Sequence, residues 1–223
     1  RAVIDATMRA GARAAYIIKE PIVAAIGADI SIGEPSGHMI IDIGGGTMEA
    51  AVISLGGIVA SASVRIGGTK LDAAIIEYVR RKYGLAIGER TSEEIKINIG
   101  SAIPLKEKLI MDIKGRDMTT GMPRIIQVTS DDVTAAIQDE LNGLVRALKQ
   151  VLNDTPPELS ADIMEKGMIL SGGTSQLRNL AVLFSTETGV PAAVADDAQL
   201  CVAKGTGIAL EHLNAFKRAI LAT

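Results

Sequence analysis

Apolar residues recur at two different spacings along this chain, and the two spacings predict strands and helices in turn. Three apolar runs, at residues 38–43, 47–54 and 58–66, are separated by glycine-containing turns, which is typical of a meander of β-hairpins. Residues 133–152 instead carry Val, Ile or Leu every three or four positions, as on one face of a long helix. Strand-like runs at 167–170 and 190–195 then alternate with helical segments. This alternation predicts an α/β fold.

Weaker periodicity and end signals predict the remaining elements. They are, in chain order, a helix over residues 1–10, a strand over 14–18, a helix that begins near Pro21, a helix after Gly68, a helix from Thr91, strands over 109–113 and 124–128, a helix over 176–187 and a helical region beyond Gly205. Thr91 is followed three residues later by Glu94, the pattern of a capping box. We therefore expect side-chain capping at that helix start.

The composition is that of a globular chain with a sizeable core. Of its 223 residues 48% are hydrophobic, and a formal net charge of −3 provides no electrostatic attraction to nucleic acid. No apolar run approaches the roughly 20 residues of a membrane-spanning helix. Cys201 is the single cysteine and no secretion signal is recognisable, so we expect a cytoplasmic protein. Because the chain begins at Arg1 within a predicted helix, we also expect a fragment of a longer protein.

The strongest candidate for chemistry is the segment from Asp42 to Thr47, with the sequence DIGGGT, between two predicted strands. Gly44, Gly45 and Gly46 allow the backbone to approach a phosphate and to aim successive N–H groups at it, and the Thr47 hydroxyl can add a hydrogen bond. Asp42 suits a water-mediated contact to phosphate-bound Mg²⁺. The alternative is an ordinary glycine-rich hairpin turn. The two commonest glycine motifs for nucleotides, G-x-x-x-x-G-K-[ST] and G-x-G-x-x-G, do not occur.

A second glycine-rich turn, LSGGTS at residues 170–175, follows an apolar strand and precedes a helix. Ligands of open α/β sheets bind beyond the carboxyl ends of strands, and Gly172 with Gly173 would let a flat ring such as adenine pack closely. A purely structural turn is the alternative. Glu20, before Pro21 at a helix start, is placed to orient or deprotonate water, although the helix dipole alone also favours an acidic residue there.

Two further side chains share one face of a predicted helix. Glu93 and Lys96 lie three residues apart and would either hold ribose hydroxyls and a base edge or form an ordinary solvated ion pair. His38, His212 and Cys201 have no partner at metal-ligand or catalytic spacing. We assign these three no role.

Taken together and in this order, the segments resemble the superfamily of actin, heat-shock chaperones and sugar kinases. Within it, the chain resembles the MreB family of bacterial actin-like cell-shape-determining proteins, from its first residue nearly to its last. The matching segments are EP at 20–21, SG at 36–37, DIGGGT at 42–47, AVISLG at 51–56, RIGG at 65–68, IGERT at 87–91, PPEL at 156–159, SGGTSQLRNL at 171–180 and AKG at 203–205. Their order is more specific than any one of them.

The resemblance implies an actin-like ATPase fold, mostly its second lobe with pieces of the first. The implied division places 1–35 in subdomain IA of the first lobe, 36–70 and 131–203 in subdomain IIA, 71–130 in the inserted subdomain IIB, and 204–223 in a terminal helix returning to subdomain IA. The resemblance also implies that Asp42 to Thr47 form a second phosphate loop, with Thr47 near the γ-phosphate and Asp42 reaching Mg²⁺ through water. Glu20 would position the attacking water. The adenosine would contact Gly172, Gly173 and Thr174, and its base or ribose would be flanked by Glu93 and Lys96.

The chain also departs from the family pattern. Lys19 stands where the family usually has an acidic residue, Met48 where it often has Thr, and Thr174 where it often has a third Gly. The strand pair with Asp-x-Gly-Thr, which is the family's first phosphate loop, and its hydrophobic membrane-binding elements are not in this chain. Whether the chain itself hydrolyses ATP is therefore left open.

The function implied by the resemblance is that of a cytoskeletal protein at the inner face of the plasma membrane. Such a protein binds ATP and Mg²⁺, polymerises with itself into paired protofilaments, organises cell-wall synthesis and maintains rod cell shape. Its implied partners are membrane-associated cell-wall elongation proteins and, through the missing elements, the inner membrane; nucleic acid is not among them. The alternatives on the same fold are a phosphotransferase, which needs an additional acceptor-side base, and a chaperone-type ATPase, which needs a following peptide-binding domain.

Overall fold

A computed structural model describes residues 2–214, 216 and 220–221, in which three β-sheets are combined with helices. The elements are α1 (Ala2–Arg9), β1 (Ile17–Ile18), α2 (Glu20–Gly27), β2 (His38–Ile43), β3 (Met48–Ser54), β4 (Gly57–Val64), α3 (Gly68–Tyr83), β5 (Leu85–Ala86), α4 (Glu89–Ile99), β6 (Ile110–Asp117), β7 (Pro123–Thr129), α5 (Ser130–Asn153), α6 (Pro157–Lys166), β8 (Met168–Ser171), α7 (Leu180–Thr188), β9 (Ala192–Val194), α8 (Cys201–Glu211) and β10 (Ile220–Leu221), with short 3₁₀ turns at Gly173–Gln176 and Ala198–Leu200.

The main sheet has five strands in the order β4-β3-β2-β8-β9. The predicted meander forms its antiparallel half, whereas β2–β8 and β8–β9 are parallel. Both faces of the sheet are covered: Met39, Ile41 and Ile43 of β2 belong to the core shared with α3 and α5, and Ile40 belongs to a second core shared with α2. Burial on both faces explains why β2 is a nearly continuous apolar run.

A smaller sheet in the order β5-β6-β7 packs together with α4 beside the main core. Leu85, Ile95, Ile113 and Val128 bring their side chains into the same apolar cluster as β2 and β3. The segment therefore adds to the larger core rather than building one of its own. The subdomain boundaries that the resemblance implies stay a prediction.

Helices α2 and α8 cross at two glycines on the other face of the sheet. A Cβ on Gly27 would stand 1.8 Å from the carbonyl oxygen of Cys201, and one on Gly205 would stand 1.8 Å from that of Val23. The two backbones are therefore in direct contact, and a side chain at either position would push the helices apart. None of the described helices has the length and apolarity that crossing a bilayer requires.

Several predicted boundaries are wrong, and so is one predicted helix cap. Helix α4 begins at Glu89 after an extended Gly88, without a side-chain cap, so the predicted capping box at Thr91 does not form. A capping box instead begins α5, where Thr129 and Asp132 satisfy each other's backbone N–H groups.

The last third of the chain also differs from its prediction. The helix expected over 176–187 is a 3₁₀ turn, Gly173–Gln176, followed by α7 from Leu180, and the terminal helix begins at Cys201 rather than beyond Gly205. The strand expected over 14–18 comprises only Ile17–Ile18, which pair with β10. Arg1, residue 215 and residues 217–219 and 222–223 lie outside the described part of the chain, and so does that portion of the predicted terminal helix.

Candidate functional site

The carboxyl ends of β2 and β8 lie side by side, and each strand is followed by one of the two glycine-rich turns. The parallel register pairs Asp42 with Ser171, the last residue of β8. The turn after each strand consequently leaves the sheet at the same edge. This is the edge at which open α/β sheets bind their ligands.

The first turn is fixed to the start of α3 by backbone hydrogen bonds. The Gly68 N–H donates to the carbonyl of Gly44 at 3.1 Å, and the Thr69 N–H donates to the carbonyl of Gly45 at 2.8 Å. Residues 45–47 are exposed, and within the described residues the N–H groups of Gly45 and Gly46 have no protein acceptor. The turn therefore presents free amides at a rigid position, as an anion-binding loop does.

Two carboxyl groups beside this turn, those of Asp42 and Glu20, have raised pKa values. Asp42 is 6% exposed and accepts a hydrogen bond of 2.6 Å from the Ser171 hydroxyl. Burial raises the pKa of Asp42, and the bond from Ser171 opposes that shift. Burial and the charges of Asp42 and Glu49 also raise the pKa of Glu20 above its ordinary value. An anionic site of this kind favours a cation between the carboxylates and a bound phosphate.

The described side chains supply few protein ligands for Mg²⁺. Within the described residues no group of three or more His, Cys, Asp or Glu side chains could by itself hold a metal ion. Asp42 offers a carboxylate with one oxygen engaged by Ser171. That geometry fits a Mg²⁺ which takes most of its ligands from phosphate and water, with Asp42 in contact through water.

A cavity of about 630 Å³ opens between the two turns, α3 and α4. Five of the residues singled out from the sequence line it, namely Gly45, Glu93, Lys96, Gly173 and Thr174. The lining also contains Asp72, Arg178 and Gln199, which the sequence did not single out. Its volume is within the usual range for small-molecule sites.

The remaining predicted site residues lie outside the cavity lining. They are Glu20, Asp42, Gly44, Gly46, Thr47 and Gly172. Gly172 has a different, steric reason to be glycine: its φ is +83°, and a Cβ there would stand 2.3 Å from the carbonyl oxygen of Ile43. Gly172 thus allows the second turn to pass directly over the end of β2.

Lys96 does not pair with Glu93, so the solvated ion pair considered from the sequence is wrong. Its ammonium contacts the Asp72 carboxylate at 2.9 Å and the Gly68 carbonyl at 3.3 Å, and both charged side chains are largely buried. Burial raises the pKa of Asp72, which the bond and charge of Lys96 oppose. Asp72 was missed because its position one turn into α3 has no local signature. Only the contact with α4 reveals it.

The sequence profile of the family described as "MreB/Mbl protein" matches residues 1–218. The chain is 50% identical over 214 residues to the cell shape-determining protein MreB of Escherichia coli K12, covering 96% of this chain and 62% of that protein. It is 46% identical over 221 residues to the cell shape-determining protein Mbl of Bacillus cereus, covering 99% and 66%. The chain thus spans about two thirds or less of these relatives.

Solved structures show the same likeness. The crystal structure of MreB5 of Spiroplasma citri bound to AMPPNP superposes with a TM-score of 0.92 at 36% identity, over 96% of this chain and 64% of that one. A double helical filament of MamK superposes with a TM-score of 0.70 at 19% identity, over 86% of this chain and 58% of that one, a likeness of fold. The predicted α/β, actin-like fold is confirmed, and the chain belongs to the MreB/Mbl family.

Proposed function

We propose that this chain forms much of the nucleotide-binding half of a bacterial actin-like protein, whose ATP-dependent filaments organise cell-wall synthesis and maintain rod shape. The observation that carries the proposal is the meeting of two glycine-rich turns at the paired ends of β2 and β8, beside a cavity of about 630 Å³. The relatives that are 46–50% identical are cell shape-determining proteins, and the MreB5 structure contains a nucleotide analogue.

ATP would lie with its phosphates on the first turn and its nucleoside in the cavity. The free amides of Gly45 and Gly46 and the hydroxyl of Thr47 would hold the phosphates. Lys96 and Glu93 would contact ribose or base, and Gly173 would lie against the adenine. Asp42 would hold Mg²⁺ through water, and that ion would neutralise charge on the phosphates.

Glu20 would position the water that attacks the γ-phosphate. Its location at the first turn of α2 and its raised pKa, caused by burial and by Asp42 and Glu49, support this role, because a base works best with a pKa near the working pH. Hydrolysis would set the lifetime of the filament. The protein would associate with itself and contact membrane-associated cell-wall elongation proteins. It would lie at the inner face of the plasma membrane.

The test uses the full-length protein with Glu20→Gln, which keeps the size of the side chain and removes the base. We expect phosphate release to fall by about 100-fold or more, because a general base contributes at least that much, while ATP affinity changes little. Glu49→Gln is the matched control, since it removes a carboxylate that also acts on Glu20. We expect Glu49→Gln to retain most of the turnover.

Filament formation is measured separately by electron microscopy with ATP, and cell shape by complementation of cells depleted of their own protein. Filaments of Glu20→Gln should persist at times when the wild-type sample has consumed its ATP. Unchanged turnover in Glu20→Gln would remove the assignment of Glu20. Failure of the wild-type protein to bind ATP or to polymerise would refute the proposed function itself.

A further inference from the structure

The carbonyl oxygen of Gly44 accepts two hydrogen bonds from two different parts of the chain. One comes from the backbone N–H of Gly68 at 3.1 Å, and the other comes from the hydroxyl of Thr174 at 2.8 Å. Thr174 is 8% exposed and lies on the second turn, 130 residues away along the chain. The hydroxyl therefore joins the two glycine-rich turns directly.

The carbonyl of Gly44 and the N–H of Gly45 belong to the same peptide unit. Because this unit is planar and trans, holding the carbonyl in place also holds the N–H, which points the opposite way. Glycines on both sides of a peptide allow it to rotate at little steric cost, so a loop of three glycines needs an external restraint to keep one orientation. Thr174 and Gly68 together supply that restraint.

The turn that carries Thr174 is itself well anchored. The Gly172 N–H donates to the carbonyl of Ala198 at 2.8 Å, and the Ser175 hydroxyl donates to the carbonyl of Gly172 at 2.6 Å. Gly68 provides the room, because a Cβ there would stand 2.9 Å from the Thr174 hydroxyl oxygen. The hydroxyl is thus held from one side and packed against glycine on the other.

We propose that Thr174 is a positioning residue, which fixes the Gly44–Gly45 peptide so that the Gly45 N–H is oriented in advance for the phosphate chain of a nucleotide. The identity of the ligand rests on the proposed function, whereas the restraint on the peptide does not. Thr174 in this role acts on the phosphate loop, although it also lines the cavity assigned to the nucleoside. A role at the phosphate loop predicts weaker binding of ATP and ADP only, whereas a role at the nucleoside predicts weaker binding of adenosine as well.

The experiment compares Thr174→Val, which keeps the shape and removes the donor, with Thr174→Ser, which keeps the donor, in the full-length protein. For Thr174→Val we expect affinity for ATP and ADP to fall about three- to ten-fold, the loss typical of one hydrogen bond, with affinity for adenosine changing less than about two-fold. Thr174→Ser should recover most of the affinity. Thr174→Ala is the substitute if Thr174→Val does not fold.

Amide hydrogen exchange of Gly68 in the nucleotide-free protein is the second measurement. The Gly68 N–H donates to the same Gly44 carbonyl as Thr174, so a peptide that rotates more freely would break this bond more often. We therefore expect the exchange of Gly68 to quicken about three- to ten-fold in Thr174→Val and not in Thr174→Ser. Equal weakening of adenosine and ATP, or wild-type affinity in Thr174→Val, would overturn the inference. If the wild-type protein binds no nucleotide, the proposed function fails. In that case the Gly68 amide still tests the restraint on the peptide, and an unchanged exchange rate in Thr174→Val would decide against it.

Discussion

Replacing Lys96 by Met tests the ion pair that joins α3 to α4 at the cavity. Met keeps most of the apolar stem and removes the ammonium, so Asp72 loses its contact at 2.9 Å. The other carboxylate oxygen of Asp72 is already buried, with no hydrogen-bond partner among the described residues. A buried carboxylate is thereby left without compensation.

The expected cost follows from the burial of this pair. Losing a hydrogen bond to a charged group costs about 1.5–3 kcal/mol, and breaking a fully buried pair costs about 3–5 kcal/mol. The side chains of Lys96 and Asp72 are 13% and 15% exposed, so we expect about 2–3 kcal/mol. For a chain of this size, the midpoint of thermal unfolding should fall by roughly 4–12 °C.

The loss of stability should depend on pH. Without Lys96, the pKa of Asp72 rises further above its ordinary value, so the folded state binds the proton more tightly than the unfolded state does. The destabilisation is then complete above the folded pKa and disappears as pH falls below the ordinary carboxyl pKa of about 4. Urea unfolding of both proteins from pH 7 to pH 4 should therefore show a narrowing difference.

Lys149→Met is the matched control, because Lys149 pairs with Glu187 at 2.7 Å with both side chains about half exposed. Such a surface pair contributes about 0–1 kcal/mol. Adding Asp72→Asn to Lys96→Met should restore part of the lost stability. If Lys96→Met were as stable as Lys149→Met at pH 7, the Lys96–Asp72 pair would contribute no more than a surface pair.

Two further substitutions test the backbone at the site and the start of α5. Gly172→Ala should cost about 2–4 kcal/mol in urea unfolding, because its Cβ would stand 2.3 Å from the carbonyl oxygen of Ile43 at a φ of +83°. Gly189 also has a positive φ but open space around it, so Gly189→Ala should cost only about 1 kcal/mol. Equal costs of the two substitutions would contradict the steric argument. Asp132→Asn should cost about 2–3 kcal/mol at pH 7. Burial alone would raise the pKa of Asp132, but hydrogen bonds, led by that from Lys82, lower it overall. The stability that Asp132 contributes is therefore present above the ordinary carboxyl pKa and lost as pH falls toward the pKa of the folded state, so a pH-independent difference between the two proteins would contradict the prediction.

The elements with a strong local signal were predicted correctly from the sequence. The strands at 38–43 and 47–54 and the long helix from 131 appear in the structure within one or two residues, because an apolar repeat bounded by glycine or proline is a local property. Helix α6 was missed, although Pro157 at its first turn is a recognisable start. The start of α7 was misplaced, because Asn179 adopts a left-handed conformation that nothing in the neighbouring sequence indicates.

The candidate site divides in the same way. The sequence by itself determined the two glycine-rich turns, Asp42 before the first of them, Glu20 at the start of α2 and the family, since these are properties of short segments and their order. Only the tertiary structure decided that Ser171 binds Asp42, that Lys96 pairs with Asp72 and that Thr174 reaches the first turn. These partners lie 24 to 130 residues apart, and such contacts depend on how the strands pair and the helices pack, which local patterns do not encode.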